Sequence, residues 1–392
     1  MDRDLRIAVT LEQCWHRIPG GVGRATVATT TALAVLAAEP LEPFEPRTDR
    51  RGPAAGGAPA RGLRLVGVAA AHRTQPTLPL PPVPVRHHHL PRRALYEGWH
   101  RLRRPRVTTV TGPVDAIWAS ALAVPPAEVP LVATVHDLAF LDDPQWSTPR
   151  GLSFFRRSWE ATVQRASIVV VPSATTARDC ARHGLEPERV LVVPWGVDGT
   201  RAAPAEVERV RRDLDLPDRF VLWVGTAEPR KNLAGLTDAL SRLDLPLVVV
   251  GPSGWLVEPD AVLARLGHRA RILGPLEDQR LRAVYAAATV FALPSLAEGF
   301  GLPVLEAMAQ GTPVVTSSGT ATADVAGDTA VLVDPRDPAA LAAAIGELAE
   351  DEDRRQALGR AGQDRAARFT WRATAQGYLD AFRRAASRAG AR

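Results

Sequence analysis

The chain almost lacks lysine and asparagine. Lys231 is its only lysine and Asn232 its only asparagine, so that 47 of the 48 basic residues are arginine. Arginine offers a planar fork of donors, whereas lysine is a compact, strongly hydrated point charge. Because both rare residues survive side by side in Pro229-Arg230-Lys231-Asn232, the pattern indicates a site that holds an anion. Chance survival of two residues during compositional drift is the alternative interpretation.

Cysteine and long apolar runs are also scarce. The two cysteines, Cys14 and Cys180, form neither a metal-ligand spacing nor a disulfide framework, so we expect two buried thiols in a reducing compartment. No uninterrupted apolar run approaches the roughly 18 residues that a membrane span requires. Residues 1–6 are charged and lack the apolar core of a secretory signal. The expected location is therefore the cytoplasm.

The overall composition is that of a soluble protein with a basic balance. A length of 392 residues predicts two domains, each with its own core. The net charge of +5 favours an anionic partner such as a nucleotide, a phosphorylated or lipid-linked substrate, or a membrane surface. The sequence has no zinc-finger spacing, RNA-stacking signature or lysine-rich tail, so nucleic acid is not an expected partner.

Short apolar runs recur along the chain and alternate with helical stretches. The runs are continuous in Val, Ile and Leu, which is typical of strands buried on both faces of a parallel sheet. Their alternation with helices predicts doubly wound α/β layers, with a domain boundary near residues 195–205. The predicted strands are Leu5–Val9, Leu63–Val68, Ala116–Trp118, Leu131–Val135, Ile168–Val171, Val190–Val193, Phe220–Val224, Leu247–Val250, Arg271–Leu273, Val290–Leu293, Pro313–Thr316 and Ala330–Val333.

Residues 40–62 and 74–93 are rich in Pro, Gly and Arg and show no periodicity, which predicts surface loops of the first domain. His87-His88-His89 falls in the second of these; we expect a solvated loop, with a metal site as the lesser alternative. The segment from Trp371 to about Ala386 predicts one amphipathic helix. Its apolar face holds Ala375, Tyr378, Leu379 and Phe382.

The first motif with chemical content is Gly20-Gly21-Val22-Gly23-Arg24, which follows the first strand and opens a helix. Glycine permits close approach of a ligand to the backbone, and a helix N-terminus presents free N–H groups. The segment can therefore cradle a phosphate or a sugar edge, although a flexible turn is an equal alternative. The dinucleotide spacing G-x-G-x-x-G is absent, which disfavours a nicotinamide dehydrogenase.

The second motif follows the first strand of the second domain. Val224-Gly225-Thr226 ends that strand, and Glu228 to Asn232 come directly after it. Ligands of doubly wound folds bind beyond the carboxyl ends of strands. Arg230 and Lys231 would there clamp a pyrophosphate and stabilise it as a leaving group. Solvated charges at a helix start are the alternative.

The third motif spans Ser295–Ala309, where two glutamates flank a Gly-rich turn. Pro303 suits a first helical turn, so Glu298 is expected in the loop and Glu306 inside the helix. Carboxylates accept hydrogen bonds from vicinal hydroxyls of a sugar or ribose. The N–H groups of residues 300–302 would meet a phosphate or sugar oxygen.

Together these motifs resemble a known family. Glu298 and Glu306 with seven residues between them, and the wording from Glu298 to Val315, resemble the signature of retaining glycosyltransferases of family 4, which have the GT-B fold. The Pro229–Asn232 segment resembles the family's phosphate clamp. The remaining likenesses are Thr134-Val135-His136-Asp137-Leu138, Val171-Pro172-Ser173 and the helix that opens at Trp371. The resemblance covers most of the chain and is weakest over residues 40–110.

The resemblance implies an α/β protein with two Rossmann-like domains facing a central cleft. Residues 1–198 would bind the acceptor, residues 199–370 would bind the nucleotide sugar, and residues 371–392 would form a helix crossing back to the first domain. No cofactor is implied beyond a nucleoside diphosphate sugar as co-substrate. No metal is expected either, since no Asp-x-Asp motif is placed to hold one.

The resemblance also implies roles for individual residues. Arg230 and Lys231 would bind the donor diphosphate. Glu298 would hold the donor sugar and Glu306 the ribose. His136 would lie near the reacting carbon, a core or helix-capping histidine being the alternative. The remaining substrate-binding positions would be Gly21, Gly23, Gly225, Phe300, Gly301 and Leu302.

The implied reaction is transfer of a sugar, with retention, to a glycan or lipid-linked acceptor of a cell-surface polysaccharide. The motif wording is most similar to mannosyltransferases, so GDP-mannose is the favoured donor. A GT-B phosphorylase and a non-catalytic sugar-nucleotide-binding protein stay open. The arginines between Arg92 and Arg106, with Tyr96 and Trp99, suggest a peripheral contact with an anionic membrane at the inner face; a solvated surface is the alternative.

We expect Lys231→Ala to lower kcat/KM by about a hundredfold or more, because one preorganised charge on the leaving group is lost. Initial rates of nucleotide release against donor concentration measure this. Turnover close to that of the wild type would remove the clamp assignment.

Overall fold

The computed structural model describes residues 5–18, 20–38 and 62–390, so the loop predicted over residues 40–62 lies almost wholly outside the described residues. Two separate parallel sheets form the core, one of seven strands and one of six, and helices cover them. The predicted α/β class with two Rossmann-like domains is confirmed.

The first sheet contains the strands of the N-terminal half. Its order is β3-β2-β1-β4-β5-β6-β7, and every pairing is parallel. The inner strands β4, β5 and β6 are buried at every position, which explains their continuous apolar sequence. The strands are β1 Leu5–Thr10, β2 Leu63–Ala71, β3 Val85–Pro91, β4 Ala116–Ala119, β5 Leu131–Thr134, β6 Ile168–Val171 and β7 Val190–Val192.

The second sheet repeats this arrangement with one strand fewer. Its order is β10-β9-β8-β11-β12-β13, again parallel throughout. The strands are β8 Val221–Val224, β9 Leu247–Val250, β10 Ala270–Gly274, β11 Val290–Leu293, β12 Val314–Ser317 and β13 Val331–Val333. Each predicted apolar run of both halves is a strand, shifted by at most a few residues at its ends.

Fifteen α-helices connect and cover the strands in the described residues. They are α1 Gly20–Ala38, α2 Arg92–Glu97, α3 Thr108–Thr111, α4 Ala139–Asp142, α5 Pro149–Arg165, α6 Ala174–Arg182, α7 Pro204–Asp213, α8 Leu233–Leu240, α9 Pro259–Leu263, α10 Asp278–Ala287, α11 Leu302–Gln310, α12 Ala321–Ala326, α13 Pro338–Glu350, α14 Glu352–Ala366 and α15 Trp371–Gly390. Short 3₁₀ turns cover Glu12–Trp15, Pro144–Trp146, Pro187–Arg189, Pro229–Lys231 and Ala264–Arg269, and a π turn covers Gly98–Leu102.

Two predictions for the first domain were wrong. The segment 74–93 is not all loop, because β3 carries the three histidines and pairs with β2 at the sheet edge. As an edge strand it buries only one of its seven residues, His88, so it lacks the apolar run by which the other strands were found. The prediction that Trp99 belongs to a membrane-contacting surface is also wrong. Its ring is 2% exposed, and its Nε1 donates to the carbonyl of Pro105.

The cysteines and the C-terminal helix are buried as expected. Cys14 and Cys180 are both free and fully buried. The four apolar residues named on one face of α15 are buried, and Tyr378 packs its ring 4.5 Å from that of Trp118. The Tyr378 hydroxyl lies 2.9 Å from Oγ1 of Thr134, which accepts a hydrogen bond from Trp118 Nε1. The last helix is therefore part of the core of the first sheet.

Helix α1 is the one described helix that is long and apolar enough, by length and composition, to cross a membrane. It packs against α15, and residues such as Leu33 and Leu36 are buried. A core helix passes the same length and composition test, so α1 is weak support for a membrane span.

The carboxyl ends of the two sheets face one another. Strand order reverses between β1 and β4 and between β8 and β11, and ligands of such folds bind at these reversals. Residues that leave the two edges touch: a Cβ on Gly299 would lie 1.7 Å from the carbonyl oxygen of His136, and Thr176 Oγ1 donates to the Gly299 carbonyl over 3.1 Å. Nearby, the N–H and hydroxyl of Thr175 both bond to Asp324. The topology thus places the predicted motifs in one cleft.

Candidate active site

Four charged residues meet at the carboxyl edge of the second sheet; we call Glu228, Arg230, Lys231 and Glu298 the charged cluster. Glu298 follows β11, and the other three lie in or beside the turn that follows the neighbouring strand β8. Lys231 Nζ contacts Glu298 Oε1, and Arg230 lies 3.1 Å from Glu298 Oε2 and 2.7 Å from Glu228. Ser295 Oγ donates to Glu298 Oε1. The predicted clamp and the predicted sugar carboxylate are therefore in direct contact.

Asn232 has a structural reason of its own. Its backbone is left-handed, with φ of 54°, a conformation that asparagine tolerates better than most residues. Its side chain caps α8 by accepting from the N–H of Gly235, and its Nδ2 donates to the carbonyl of Pro335. The two rare residues thus have different roles. Asn232 shapes the turn, and Lys231, which is only 8% exposed, supplies a buried positive charge.

The electrostatics of the cluster follow from burial and charge pairing. Burial alone would raise the pKa of Glu298, but Lys231, Arg230 and the hydrogen bonds from Lys231 and Ser295 together lower it to about 2. Burial raises the pKa of Glu228 in spite of the neighbouring cations. Burial would lower the pKa of Arg230, yet Glu298 and Glu228 outweigh it and raise that pKa. Glu298 is therefore ionised at neutral pH.

Glu306 lies inside α11, as predicted, and contacts both halves of the protein. Tyr285 donates its hydroxyl to Glu306 Oε2 over 2.9 Å, and Arg24 of the first domain lies 2.8 Å from Oε1. Arg24 also approaches Asp278 to 3.4 Å. Burial, the largest effect, raises the pKa of Glu306 even though Arg24 opposes it. Glu306 is thus the meeting point of the glycine-rich segment and the second domain.

A cavity of about 250 Å³ opens beside this contact. Both domains line it, and its walls include Arg24, Leu78, Asp198, Tyr285, Glu306 and Trp371. Sequence reasoning assigned no role to Arg24 or Tyr285. The position of Arg24 directly after the glycines was a usable signal for the first; Tyr285 gave none, because its partner is 21 residues away on another helix.

His136 lies at the domain interface. Its Nε2 is 2.9 Å from the carbonyl oxygen of Ser120 and so donates to it, and its ring is 5.4 Å from that of Trp195. Burial lowers the pKa of His136, which keeps the ring neutral. Its Nδ1 is buried and has no hydrogen-bond partner among the described residues. The ring therefore presents an unused acceptor, although its side chain is as buried as that of a core histidine.

The other predicted binding residues surround these groups without contacting the charged cluster through hydrogen bonds. Gly21 and Gly23 lie in the first turn of α1. Gly225 directly follows β8, and its N–H donates to the carbonyl of Val250. Gly301 caps α11 in the left-handed region, with φ of 97°. The side chains of Phe300 and Leu302 are buried in the core of the second domain, and Leu302 also lines the interdomain cavity. No group of three or more His, Cys, Asp or Glu residues in the described ranges is arranged to hold a metal ion.

Comparison with known families matches both halves of the chain. Residues 20–201 match the family Glycosyltransferase Family 4, and residues 205–365 match the family Glycosyl transferases group 1. Together the two matches cover both domains, including the charged cluster, Glu306 and His136.

Individual relatives point the same way. An O-antigen chain mannosyltransferase B from Escherichia coli is 32% identical over 256 residues, which cover 61% of this chain and 66% of that protein. A D-inositol 3-phosphate glycosyltransferase from Salinispora tropica is 37% identical over 286 residues, covering 65% of this chain and 59% of that protein. The match thus spans less than two thirds of the length of either relative.

Solved structures are similar over nearly the whole chain. Anabaena Alr3699/HepE in complex with UDP and glucose has a TM-score of 0.70 at 18% identity, with 96% of this chain and 98% of that chain covered. Sucrose-phosphate synthase from Thermosynechococcus elongatus has a TM-score of 0.71 at 20% identity and full coverage of both chains. At these identities the likeness establishes the fold.

We expect Glu298→Gln to destabilise the protein by about 3 kcal/mol at pH 7, because it leaves two buried cations short of a partner. Since the folded pKa of Glu298 is depressed to about 2 from 4.5, its contribution is present above pH 4.5 and is lost as pH falls toward 2. The difference from wild type should therefore shrink below pH 4.5. Urea unfolding at several pH values measures it.

Glu350→Gln is the matched control, because Glu350 forms an exposed pair with Arg219 over 2.8 Å. Such a pair contributes at most about 1 kcal/mol. Equal effects of the two substitutions would contradict the account of a buried, mutually dependent cluster.

Proposed function

Because the chain belongs to the group 1 glycosyltransferases of family 4, we propose that it transfers a sugar from a nucleoside diphosphate sugar to a glycan or lipid-linked acceptor during synthesis of a cell-surface polysaccharide. The observation that carries the proposal is the charged cluster at the carboxyl edge of the second sheet, together with Glu306, which follows Glu298 in the chain on α11 and contacts Arg24 of the first domain. A diphosphate, a sugar and a ribose each find a chemically suited partner there.

In this proposal the charged cluster binds the reacting end of the donor. Arg230 and Lys231 bind the diphosphate, and the positive ends of α1 and α11 add backbone donors. Glu298 accepts hydrogen bonds from the hydroxyls of the donor sugar, for which its low pKa keeps it suited at every physiological pH. Glu306 accepts from the two ribose hydroxyls, in competition with Arg24.

The reaction we propose proceeds with retention and needs no metal. The bond between the anomeric carbon and the phosphate oxygen breaks, the bond to the acceptor oxygen forms on the same face, and a phosphate oxygen takes the acceptor proton. Arg230 and Lys231 stabilise the negative charge of the departing diphosphate. His136, being neutral, positions a hydroxyl through its free Nδ1 rather than acting as a strong base.

We propose GDP-mannose as the donor. The name of the E. coli relative, an O-antigen chain mannosyltransferase, supports mannose and a surface glycan. The complexes of the Anabaena structure with UDP and glucose support a competing choice of UDP-sugar. The physical features of the cleft suit either diphosphate, so a direct comparison of nucleotides decides the base.

We expect one class of nucleoside diphosphate sugar to raise the melting temperature of the wild type and to have little effect on Glu306→Ala, which lacks the ribose acceptor. A thermal-shift panel with GDP-, UDP- and dTDP-sugars measures this. Glu350→Ala, which removes an exposed carboxylate far from the cleft, should respond like the wild type.

The outcomes distinguish the ribose assignment of Glu306 from the transferase function. An equal shift in Glu306→Ala would remove the ribose assignment while leaving the donor identified. No shift with any nucleotide sugar would count against the transferase function.

We also propose that the enzyme is cytoplasmic and contacts an anionic membrane at its inner face. Leu102 is 75% exposed between the exposed Arg101 and Arg103, and Arg93 is exposed nearby. Each cation at such a surface contributes about 1 kcal/mol. With Trp99 buried, Leu102 is the main apolar group available here.

We expect wild type to float with vesicles containing phosphatidylglycerol at low salt and the variant Leu102→Ser/Arg93→Ser to float several-fold less. Arg336→Ser, which removes an exposed arginine from the second domain, is the control. Equal recovery of all three proteins, or no flotation of wild type, would contradict the proposal.

A further inference from the structure

Three aromatic rings form a patch at the carboxyl edge of the first sheet; we call Trp15, His72 and His87 the ring cluster. Trp15 ends the 3₁₀ turn that follows β1, His72 comes directly after β2, and His87 lies in β3. Trp15 and His72 stack with centroids 4.6 Å apart and planes 5° apart, and the edge of His87 meets Trp15 at 5.4 Å. Strands from three parts of the chain thus build one surface.

Hydrogen bonds hold each ring in place. Trp15 Nε1 donates to the carbonyl of Thr74 over 3.1 Å. His72 Nε2 bonds to Glu12 Oε2 over 3.1 Å, and Glu12 is itself 3% exposed and accepts from the N–H of Ala70. His87 Nδ1 lies 2.8 Å from the carbonyl oxygen of Ala70. The rings are therefore fixed in position before any ligand arrives.

These bonds determine what the histidines offer outward. A ring nitrogen beside a carbonyl or carboxylate oxygen carries the hydrogen, so in each neutral ring the other nitrogen is an acceptor. His72 Nδ1 and His87 Nε2 are those nitrogens, and neither has a hydrogen-bond partner among the described residues. His72 is partly exposed and His87 is exposed, so both nitrogens are reachable. Two hydrogen-bond acceptors on an aromatic surface favour a ligand that donates hydrogen bonds.

The charges around the rings distinguish neutral ligands from phosphorylated ones. A hydroxyl both donates and accepts, so it pairs with a histidine nitrogen in either protonation state. A phosphate lacks donors when fully ionised, and the carboxylate of Glu12 lies directly behind His72. Arg92, whose charge acts on His16 beside the cluster, favours an anion, as do the exposed Arg73 and Arg86 next to His72 and His87 in the chain. The charge in direct contact with the rings is the Glu12 carboxylate, and both outward ring nitrogens accept, so neutral polyols fit the rings themselves better than phosphorylated ones.

The ring cluster is linked to the reaction centre. Gln13, next to Glu12, approaches Ser120 Oγ to 3.3 Å, and the carbonyl of Ser120 holds His136. The loop after His72 bonds back to the same turn through Thr77 and supplies Leu78 to the wall of the interdomain cavity. A ligand on the rings would thus lie beside the cleft on its first-domain side.

We propose that the ring cluster is an acceptor subsite for a neutral sugar ring. The apolar face of the sugar packs on the exposed part of the rings, and its hydroxyls donate to His72 Nδ1 and His87 Nε2. Aromatic walls with a few placed polar groups are typical of small-molecule sites. This inference rests on the proposed function, of which it specifies the acceptor.

The test is saturation-transfer NMR of the protein with methyl glycosides of mannose, glucose and galactose, and with mannose 6-phosphate. We expect at least one neutral glycoside to bind the wild type, and the signal to fall severalfold in His87→Phe, which keeps a ring but removes both nitrogens. His89→Phe is the matched control, because His89 is exposed on the same strand and outside the ring cluster.

A second measurement uses nucleotide release with the preferred donor. We expect His87→Phe to raise the KM for the glycoside roughly fivefold, the loss typical of one hydrogen bond, without changing the KM for the donor or the rate of donor hydrolysis. Trp15→Leu should have the larger effect.

The proposal is overturned if only mannose 6-phosphate binds, if no neutral glycoside binds, or if His87→Phe and His89→Phe behave alike. The NMR experiment contains no donor. A protein that binds the glycosides but no nucleotide sugar would therefore contradict the proposed transferase function and leave the ring cluster supported.

Discussion

The cleft depends on one buried carboxylate shared by two cations. Glu298 holds Lys231 and Arg230 in place, and Arg230 reaches on to Glu228, so that two carboxylates and two cations balance inside the second domain. Burying these charges is tolerable only because each has a partner within hydrogen-bond distance. The turn that carries the cations and the loop that carries Glu298 leave adjacent strands, and their mutual attraction fixes both against the sheet. Under the proposed function, these groups are already oriented before the donor binds.

The two domains are joined by a second set of polar contacts. Arg24 reaches Glu306 and Asp278, Thr175 bonds to Asp324, and Gly299 packs against the backbone of His136 without room for a side chain. Glu306 therefore serves two partners in succession under the proposed function, first Arg24 and then a ribose. Any nucleotide that takes this carboxylate loosens one of the ties between the domains, which connects binding to their relative movement.

The sequence predicted the two sheets and the residues of the charged cluster better than it predicted the ring cluster, for physical reasons. Buried parallel strands are continuous apolar runs, and Glu298 and Glu306 lie within one segment with seven residues between them, so both leave local signals in the sequence. β3 was missed because an edge strand need not be apolar, and Trp99 was misplaced because its burial depends on distant packing. The ring cluster brings together Trp15, His72 and His87, which are far apart in the sequence, so no spacing in the sequence predicts it. The role of Tyr285 could not be predicted for the same reason, since its partner Glu306 lies on another helix.

Helix α15 has a consequence for how the chain is made. Its residues Tyr378, Leu379 and Phe382 share one core with Ile7 and Val9 of the first strand. During synthesis the first domain emerges nearly two hundred residues before the helix that covers it. Until α15 leaves the ribosome, the apolar face of the first sheet on which this helix packs is uncovered. Apart from Ala25, the buried core of the second domain consists of residues 195–366, which all precede α15, so this domain can fold in that interval. Packing of α15 then completes the first domain after the second, and the uncovered face is open to aggregation until it does.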